Sequence, residues 1–332
     1  MRFAKDLGVV ACFAVIAALP ARADDPPPLP FVQGSWTLVL LPDTQRYSRD
    51  YPETFCDQTQ WIVDNKKRRK IAFVLHEGDI VNQATPSQWE NAQKAISILD
   101  GRVPYALASG NHDYTGIAKR VTFMSDYFPV KKFRKRKTFG GTFEKNRIEN
   151  SYHLFSAGGR DWVVIALETF PRDAAVGWAD KILKKYPKRL GIVVTHAYLY
   201  HDNTRYDYKT RLDQKWSPHG EGGNHRDGHN DGEELWQKLI APNANVAFVF
   251  CGHVLGDGAG RLTSTGTNGN TVHQILLNCQ SWPDGGSGYL GLVEFLPGGK
   301  TIQFKTYSTT LNKYLTDDDH QYTLPTPWSP KQ

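Results

Sequence analysis

The chain contains 332 residues, of which 40% are hydrophobic and 22% are charged, and its formal net charge is +6. This length and composition exclude a disulfide-stapled mini-protein and a disordered chain, and they provide enough apolar side chains for a substantial core. Glycine (29) and proline (19) are abundant but follow no collagen-like repeat. That balance favours a loop-rich α/β protein over a helical bundle.

The first 23 residues are typical of a secretory signal peptide. Basic Arg2 and Lys5 precede an apolar run at 7–19 and a small-x-small sequence at 21–23. The run is shorter than the roughly 20 residues that a bilayer anchor requires. We therefore expect a secreted or periplasmic protein that starts at Asp24 and has no membrane span once the signal is removed. Removal takes away three positive charges and one negative one, which leaves +4.

Residues 24–34 form a proline-rich extended leader, and we expect one domain from 35 to 332. Apolar runs typical of buried strands alternate in it with helical patterns, which predicts parallel strands and ligand chemistry at their carboxyl ends. The predicted strands are 36–41, 71–75, 103–108, 152–155, 162–167, 191–195, 246–251, 271–277, 289–295 and 302–307, and the predicted helices are 59–69, 89–99, 178–186 and 233–240. The polar segment 201–232 is too long for a simple connector and is predicted to lie over the site.

Three cysteines, Cys56, Cys251 and Cys279, belong to the predicted mature chain, so at most one disulfide can form. Cys251 and Cys279 each end an apolar run. Whether they pair is left open, and none of the three is assigned to catalysis.

Five predicted strands are followed by side chains that can bind a metal ion. Each residue alone is more often a turn residue, a helix cap or a packed histidine. Carboxylate, amide and imidazole groups at one sheet edge suit Zn, Mn or Fe, and their conjunction on five strand ends indicates a metal site. The candidates are Asp43 with Gln45, then Asp79, then Asn111 with His112 and Asp113, then His196, and finally His253.

This ordered set resembles the calcineurin-like metallophosphoesterase superfamily, whose motifs run D-x-H, GD, GNH[DE], a single H, and GHxH. The resemblance implies a four-layer α/β/β/α sandwich with two metal ions at the sheet edge. It implies that Asp79 bridges the metals and that Asp43 belongs to the first one. The second metal site is completed by Asn111, His196 and His253.

The same resemblance implies that His112, paired with Asp113, protonates the leaving group or steadies the transition state. Two positions depart from the motifs: Gln45 replaces the histidine of D-x-H, and Leu255 replaces the last histidine of GHxH. Both departures affect the first metal. Its remaining ligands are oxygens, which shifts its preference towards Mn, Mg or Ca and weakens binding. We therefore expect one or two divalent ions, of Mn, Zn or Fe. Loop residues His201, His225 or His229 are possible substitutes.

The predicted function is hydrolysis of a phosphate mono- or diester by a metal-activated water. Tyr198 and His201, just after the His196 strand, are predicted to contact the anionic substrate. One alternative is a one-metal lyase or hydrolase of an acidic polysaccharide. Another is a non-catalytic polyanion-binding protein with a decayed site, although a dead site has no evident need for the retained ligands.

Much of the positive charge lies in two runs, residues 66–70 and 131–137. The second run is predicted to be a solvated loop, with attraction of polyanions as the alternative. No stable nucleic-acid partner is expected, and the oligomeric state is left open.

Overall fold

The computed structural model describes residues 26–221 and 228–328. The predicted signal peptide and His225 lie outside the described residues. The strands are β1 (Trp36–Leu41), β2 (Ile71–His76), β3 (Tyr105–Leu107), β4 (Tyr114–Gly116), β5 (Val121–Thr122), β6 (Phe139–Thr142), β7 (Ser151–Ala157), β8 (Arg160–Ala166), β9 (Leu190–Val194), β10 (Val246–Cys251), β11 (Ala259–Thr265), β12 (Thr271–Leu277), β13 (Tyr289–Phe295), β14 (Thr301–Ser308), β15 (Lys313–Leu315) and β16 (Gln321–Pro325).

The helices are mostly short, apart from three that cover the sheets. They are α1 (Gln45–Asp50), α2 (Pro52–Arg69), α3 (Pro86–Ser97), α4 (Met124–Tyr127), α5 (Val130–Phe133), α6 (Asp173–Lys185), α7 (Pro218–Glu221), α8 (Gly232–Leu235) and α9 (Pro283–Gly286), with a π-helical turn at Trp236–Ile240 and 3-10 turns at Asn111–Asp113 and Ile117–Lys119. Within the described residues, no helix combines the length and apolar character needed to cross a membrane.

Most strands belong to two mixed sheets of seven strands each. The first has the order β15-β14-β13-β1-β2-β3, with β16 beside β14, and the second has the order β11-β12-β10-β9-β8-β7-β6. Strands β1, β2 and β3 run parallel to one another, and so do β8, β9, β10 and β12. The predicted series of parallel strands is therefore present in both sheets.

Alternating side chains divide the core into three layers. On β1, Leu38 and Leu40 pack between the two sheets, while Val39 and Leu41 pack against α2 and α3. On β8, Val164 faces the space between the sheets and Val163 faces α6. Because strand residues point alternately to opposite faces, each sheet is buried on both sides. The result is the four-layer α/β/β/α sandwich that the family resemblance implied.

Several boundaries and strands differ from the predictions. Helices α2 and α3 begin at Pro52 and Pro86, earlier than predicted, because proline at the first helical position lacks an N–H that would be unpaired there anyway. Strand β11 was not predicted. It lies at the edge of its sheet and its residues are alternately exposed, so its sequence is polar and lacks the apolar run of a central strand.

The three described cysteines are free thiols. Cys251 accepts a hydrogen bond from the backbone N–H of Leu199 and lies 3.6 Å from the carbonyl oxygen of Ile275. Burial raises the pKa of both Cys251 and Cys279 well above the usual value, so these thiols stay protonated and unreactive. The pairing left open by the sequence is absent.

The proline-rich leader is attached to the first sheet. The side chain of Gln321 binds the backbone N–H of Leu29 and the carbonyl oxygen of Pro27. Lys305 Nζ lies 3.4 Å from the carbonyl oxygens of Leu29 and Pro30. Lys305 also forms an ion pair with Glu294, and both side chains are fully buried. The leader therefore closes over a charged pair inside the domain.

We expect Lys305→Met to lower the free energy of unfolding by about 3–5 kcal/mol, because it leaves the buried carboxylate of Glu294 without its cation. Denaturant unfolding measures this change. The matched control is the double variant Glu294→Leu/Lys305→Met, which removes both charges and should be far closer to the parent in stability. Equal losses in the single and double variants would contradict this account.

Candidate metal centre

The candidate ligands meet where the carboxyl ends of the parallel strands of both sheets face each other. Asp43 follows β1, Asp79 follows β2, and Asn111 follows β3 by a short turn. His196 and His253 follow β9 and β10 of the second sheet. Ligand atoms of Asp43, Asp79 and His196 all lie within 4.8 Å of one another. The structure therefore brings together five residues that are up to 210 positions apart in sequence.

His196 lies at the middle of this group. Its Nδ1 is 3.0 Å from the carbonyl oxygen of Glu77, so Nδ1–H donates and Nε2 faces the other ligands. Nε2 is 3.1 Å from Asn111 Oδ1, 3.3 Å from Asp79 Oδ1 and 3.2 Å from His253 Nδ1. A backbone carbonyl that orients a histidine in this way is typical of metal-binding imidazoles.

His253 is oriented in the same manner. Its Nε2 is 2.7 Å from the carbonyl oxygen of Trp216, so Nε2–H donates and the Nδ1 lone pair faces His196. Burial, followed by the charge of His196, lowers the pKa of His253 to about 3, which keeps this imidazole neutral. Neutral imidazole is the form that binds metals.

The charges around His196 show what the site requires. Burial lowers the pKa of His196, but the carboxylates of Asp79 and Asp43 raise it by more, and the net result is a pKa of about 9. Burial raises the pKa of Asp43 well above its usual value, so without a metal this acid keeps its own proton. A proton on His196 Nε2 then balances Asp79, and it points at the acceptor atoms of Asp79 and Asn111. A divalent metal fits this position, because it would replace one proton and satisfy several lone pairs at once.

The first metal site is poorer in ligands, as the two motif departures predict. Gln45 Nε2 donates to Asp79 Oδ2 at 2.8 Å, and the buried Gln45 Oε1 has no hydrogen-bond partner among the described residues. Asp43 accepts the backbone N–H of His253, with its oxygens at 3.0 and 3.3 Å. Leu255 adds an apolar wall to the adjoining pocket. An orphaned buried oxygen beside two carboxylates fits a hard cation with oxygen ligands.

Two glycines allow the backbone to approach the carboxylates. A Cβ atom at Gly252 would lie 2.0 Å from Asp43 Oδ1, and one at Gly110 would lie 2.0 Å from Asp79 Oδ1. Both distances are far below van der Waals contact, so any side chain would displace the ligand. This close approach explains why glycine stands before His253, at position 252, and before Asn111, at position 110.

The implied pairing of His112 with Asp113 is wrong. His112 Nδ1 is 2.8 Å from the carbonyl oxygen of Asn82, and its exposed ring borders the cavity. The fully buried carboxylate of Asp113 instead accepts the backbone N–H groups of Val81 at 2.9 Å and Gly110 at 2.8 Å. Asp113 thus holds together the loops that carry Asp79 and Asn111, because a buried carboxylate must find donors nearby.

The two predicted substrate contacts are placed differently. Tyr198 is fully buried, and its hydroxyl donates to Gln274 at 2.9 Å, so its predicted contact with substrate is wrong in this structure. The period-two alternation beyond the end of β9 directs this side chain into the core. His201 is half-buried, and its ring lies against that of Tyr200 with the centroids 4.3 Å apart.

Described residues of the long polar loop, Trp216 and Glu221, lie over the site, as the length of the loop predicted. His229 packs elsewhere, against His219. The ring centroid of His229 lies 4.3 Å from that of His219, which is 2.7 Å from Glu234 Oε2. Asp231, beside them, caps α8 by accepting the N–H of Glu234. These groups fasten the loop to α8.

The sequence did not reveal several residues that line the opening. A pocket of about 120 Å³ over the ligands is also bordered by Trp216, Glu221 and Gln280. A groove of about 410 Å³ adjoins it through Asn111, His112 and Glu221, and includes Asn82 and Gln83. These residues lie in loops without a strand-end pattern, so only the length of the 201–232 segment pointed to part of this wall.

Glu77 is a further buried carboxyl group, two residues before Asp79 in sequence. Its two oxygens have no hydrogen-bond partner among the described residues, and burial, followed by the charge of Asp43, raises its pKa well above the usual value. A protonated glutamic acid here adds no further negative charge to the centre.

We expect His196→Ala to weaken metal binding by at least about 10- to 100-fold, the cost of removing even a group that merely orients a ligand. Elemental analysis after desalting and the metal-dependent shift in Tm measure this loss. The matched control is His273→Ala, which removes an equally buried imidazole whose nitrogens bind Thr263 and Pro325. Equal metal content in both variants would contradict the assignment.

A model of the calcineurin-like phosphoesterase family matches residues 38–257. The chain is also 32% identical over 300 residues to the uncharacterized protein YvnB of Bacillus subtilis (strain 168), a match that covers 87% of this chain and 21% of YvnB. It therefore spans about a fifth of the length of that relative.

Solved structures with a similar fold include a phosphatase and an anchor protein. Purple acid phosphatase PPD1 from yellow lupin (Lupinus luteus) seeds has a TM-score of 0.51 and 15% identity, over 91% of this chain and 55% of the phosphatase. GAP50, the anchor in the inner membrane complex of Plasmodium, has a TM-score of 0.50 and 14% identity, over 90% of both chains. At these identities the likeness shows the fold alone. The match over residues 38–257 shows that the chain belongs to the calcineurin-like phosphoesterase family.

Proposed function

We propose that this chain hydrolyses phosphate mono- or diesters with water activated by bound divalent metal. Family membership supports the reaction class, that of metal-dependent hydrolases acting on phosphoester bonds. The observation that carries the proposal is the set of acceptor atoms converging on His196 Nε2 from Asp79, Asn111 and His253. We also propose that the protein is exported, because residues 1–23 are typical of a signal peptide.

The ligand sets suggest one strong metal site and one weak one. The ion that binds more tightly would be held by the ligands of the second metal site, Asp79, Asn111, His196 and His253. Their mixed nitrogen and oxygen atoms suit Mn, Zn or Fe. The other ion, at the first metal site, would be held more weakly through oxygen atoms of Asp43, Gln45 and the shared Asp79. When bound, such ions lower the pKa of a coordinated water and neutralise phosphoryl oxygens.

His112 is well placed to assist the leaving group. Its exposed ring stands where the pocket over the ligands meets the groove beside Asn82. The Asn82 carbonyl accepts the Nδ1–H, so in its imidazolium form His112 would present Nε2–H to protonate the departing alkoxide and would be left as the neutral imidazole. The backbone N–H of His112 donates to Asp79 at 3.0 Å. This hydrogen bond fixes the position of His112, the proposed proton donor, relative to the metal ligands.

The departures at Gln45 and Leu255 favour a second candidate, a one-metal enzyme acting on a non-phosphate acidic polymer. A single Lewis acid beside His112 would neutralise a carboxylate and acidify its α-proton. The metal centre is the same in both proposals, so substrate tests separate them.

We expect His112→Ala to lower turnover of phosphoesters by about 100- to 10,000-fold, because it removes the proton donor while leaving the metal ligands in place. Assays with p-nitrophenyl phosphate and bis(p-nitrophenyl) phosphate, together with elemental analysis, separate chemistry from metal loss. The metal content should match the parent. Cleavage of a uronate polymer by the metal-loaded parent, with no turnover of either ester, would instead support the second candidate.

We expect the double variant Gln45→His/Leu255→His to bind a second metal ion tightly, because it returns two imidazoles to the weaker site. Calorimetric titration with Mn²⁺ or Zn²⁺ gives the stoichiometry, which should rise from one tight site to two. The single variants serve as controls and should fall between parent and double variant. Two equally tight sites in the parent would show that the oxygen ligands already suffice.

A further inference from the structure

Two positively charged segments that are far apart in sequence meet on one surface. Residues 66–70 form the end of α2 and the turn after it, and residues 131–137 include most of α5 and the turn that follows. Lys66 Nζ donates to the backbone carbonyl of Arg102. Arg102 in turn lines a groove of about 280 Å³ together with Lys135 and Lys137.

A second groove is linked to the first through the contact between Lys66 and Arg102. It has a volume of about 630 Å³ and is lined by Lys66, Lys67 and Lys70 together with residues 156–158. The surface thus presents six exposed cations, which we call the basic surface: Lys66, Lys67, Lys70, Arg102, Lys135 and Lys137.

The second run is anchored and is not the freely solvated loop that was predicted. Phe133 is fully buried, and the Arg136 guanidinium lies 4.1 Å from the ring centroids of both Phe133 and Tyr105. Asp100 forms ion pairs with Arg136 and Lys132, so the charge of this acid is already balanced by two cations of the run. Anchoring at Arg136 holds its exposed neighbours Lys135 and Lys137 at the groove.

The basic surface lies on the edge of the first sheet opposite the metal centre. It surrounds the amino ends of β1 and β2, whereas Asp43 and Asp79 follow their carboxyl ends. A strand of six residues spans about 20 Å, which separates the two surfaces. The cations therefore do not serve the metal site directly.

We propose that the basic surface binds a linear polyanion, a polymer with regularly spaced phosphate or carboxylate groups. Two adjoining grooves lined by cations can follow a chain and concentrate its charges. A flat anionic membrane is the weaker candidate. The exposed large apolar side chains of the described residues all lie outside this surface, so it offers no apolar anchor for a bilayer: Tyr51, Val121, Phe123, Leu212, Trp216 and Leu311.

The test uses the full chain in EDTA, which prevents hydrolysis, and fluorescence anisotropy with labelled polyphosphate or polygalacturonate. We expect binding to at least one polymer at about 50 mM salt, with affinity that falls steeply as salt rises. The two polymers distinguish phosphate from carboxylate as the preferred charge. In Lys67→Gln/Lys70→Gln/Lys135→Gln/Lys137→Gln, affinity should fall at least about tenfold and the salt slope by about 3, since each contact releases about 0.7 counterion.

The matched control, Lys181→Gln/Lys185→Gln/Lys188→Gln/Lys209→Gln, removes the same charge from exposed lysines elsewhere and should bind as the parent does. An equal loss in both variants, or no polymer binding at low salt, would overturn the proposal. Binding to phosphatidylglycerol vesicles but to neither polymer would overturn it as well. Turnover of small phosphoesters should be unchanged in both variants. A failure of the polyanion proposal can therefore be distinguished from a failure of the proposed hydrolysis.

Discussion

Burial of two neighbouring carboxylates, Asp43 and Asp79, determines how the rest of the centre is built. Buried like charges repel each other and lose their hydration, so each needs donors or cations nearby. His196 supplies charge to both, and the backbone N–H groups of His253 and His112 donate to Asp43 and Asp79 respectively. Loops from both sheets are thus ordered around one concentration of negative charge. The same requirement makes the centre receptive to a metal ion.

Sequence patterns predicted that the candidate ligands lie together at one edge, because apolar runs mark buried parallel strands and the carboxyl ends of such strands meet. They failed where a side chain's direction depends on the path of a loop. The His112 ring binds the Asn82 carbonyl in place of Asp113, and Tyr198 points into the core. Edge strands such as β11 also escaped prediction, since one polar face leaves them without a continuous apolar run.

The fold alone does not decide the activity. A phosphatase and a protein described as an anchor share it with this chain at 15% and 14% identity. Function therefore rests on individual residues. Here the imidazole-rich half of the centre is complete, while Gln45 and Leu255 leave the other half with oxygen and apolar groups. Under the proposed function, this asymmetry would make the two halves of the centre bind metal unequally.

The docking of Leu29 against Gln321 places the first and last described segments of the chain side by side on the first sheet. Fraying of the leader would therefore weaken the attachment of β16 to β14, so the stabilities of these two segments are linked.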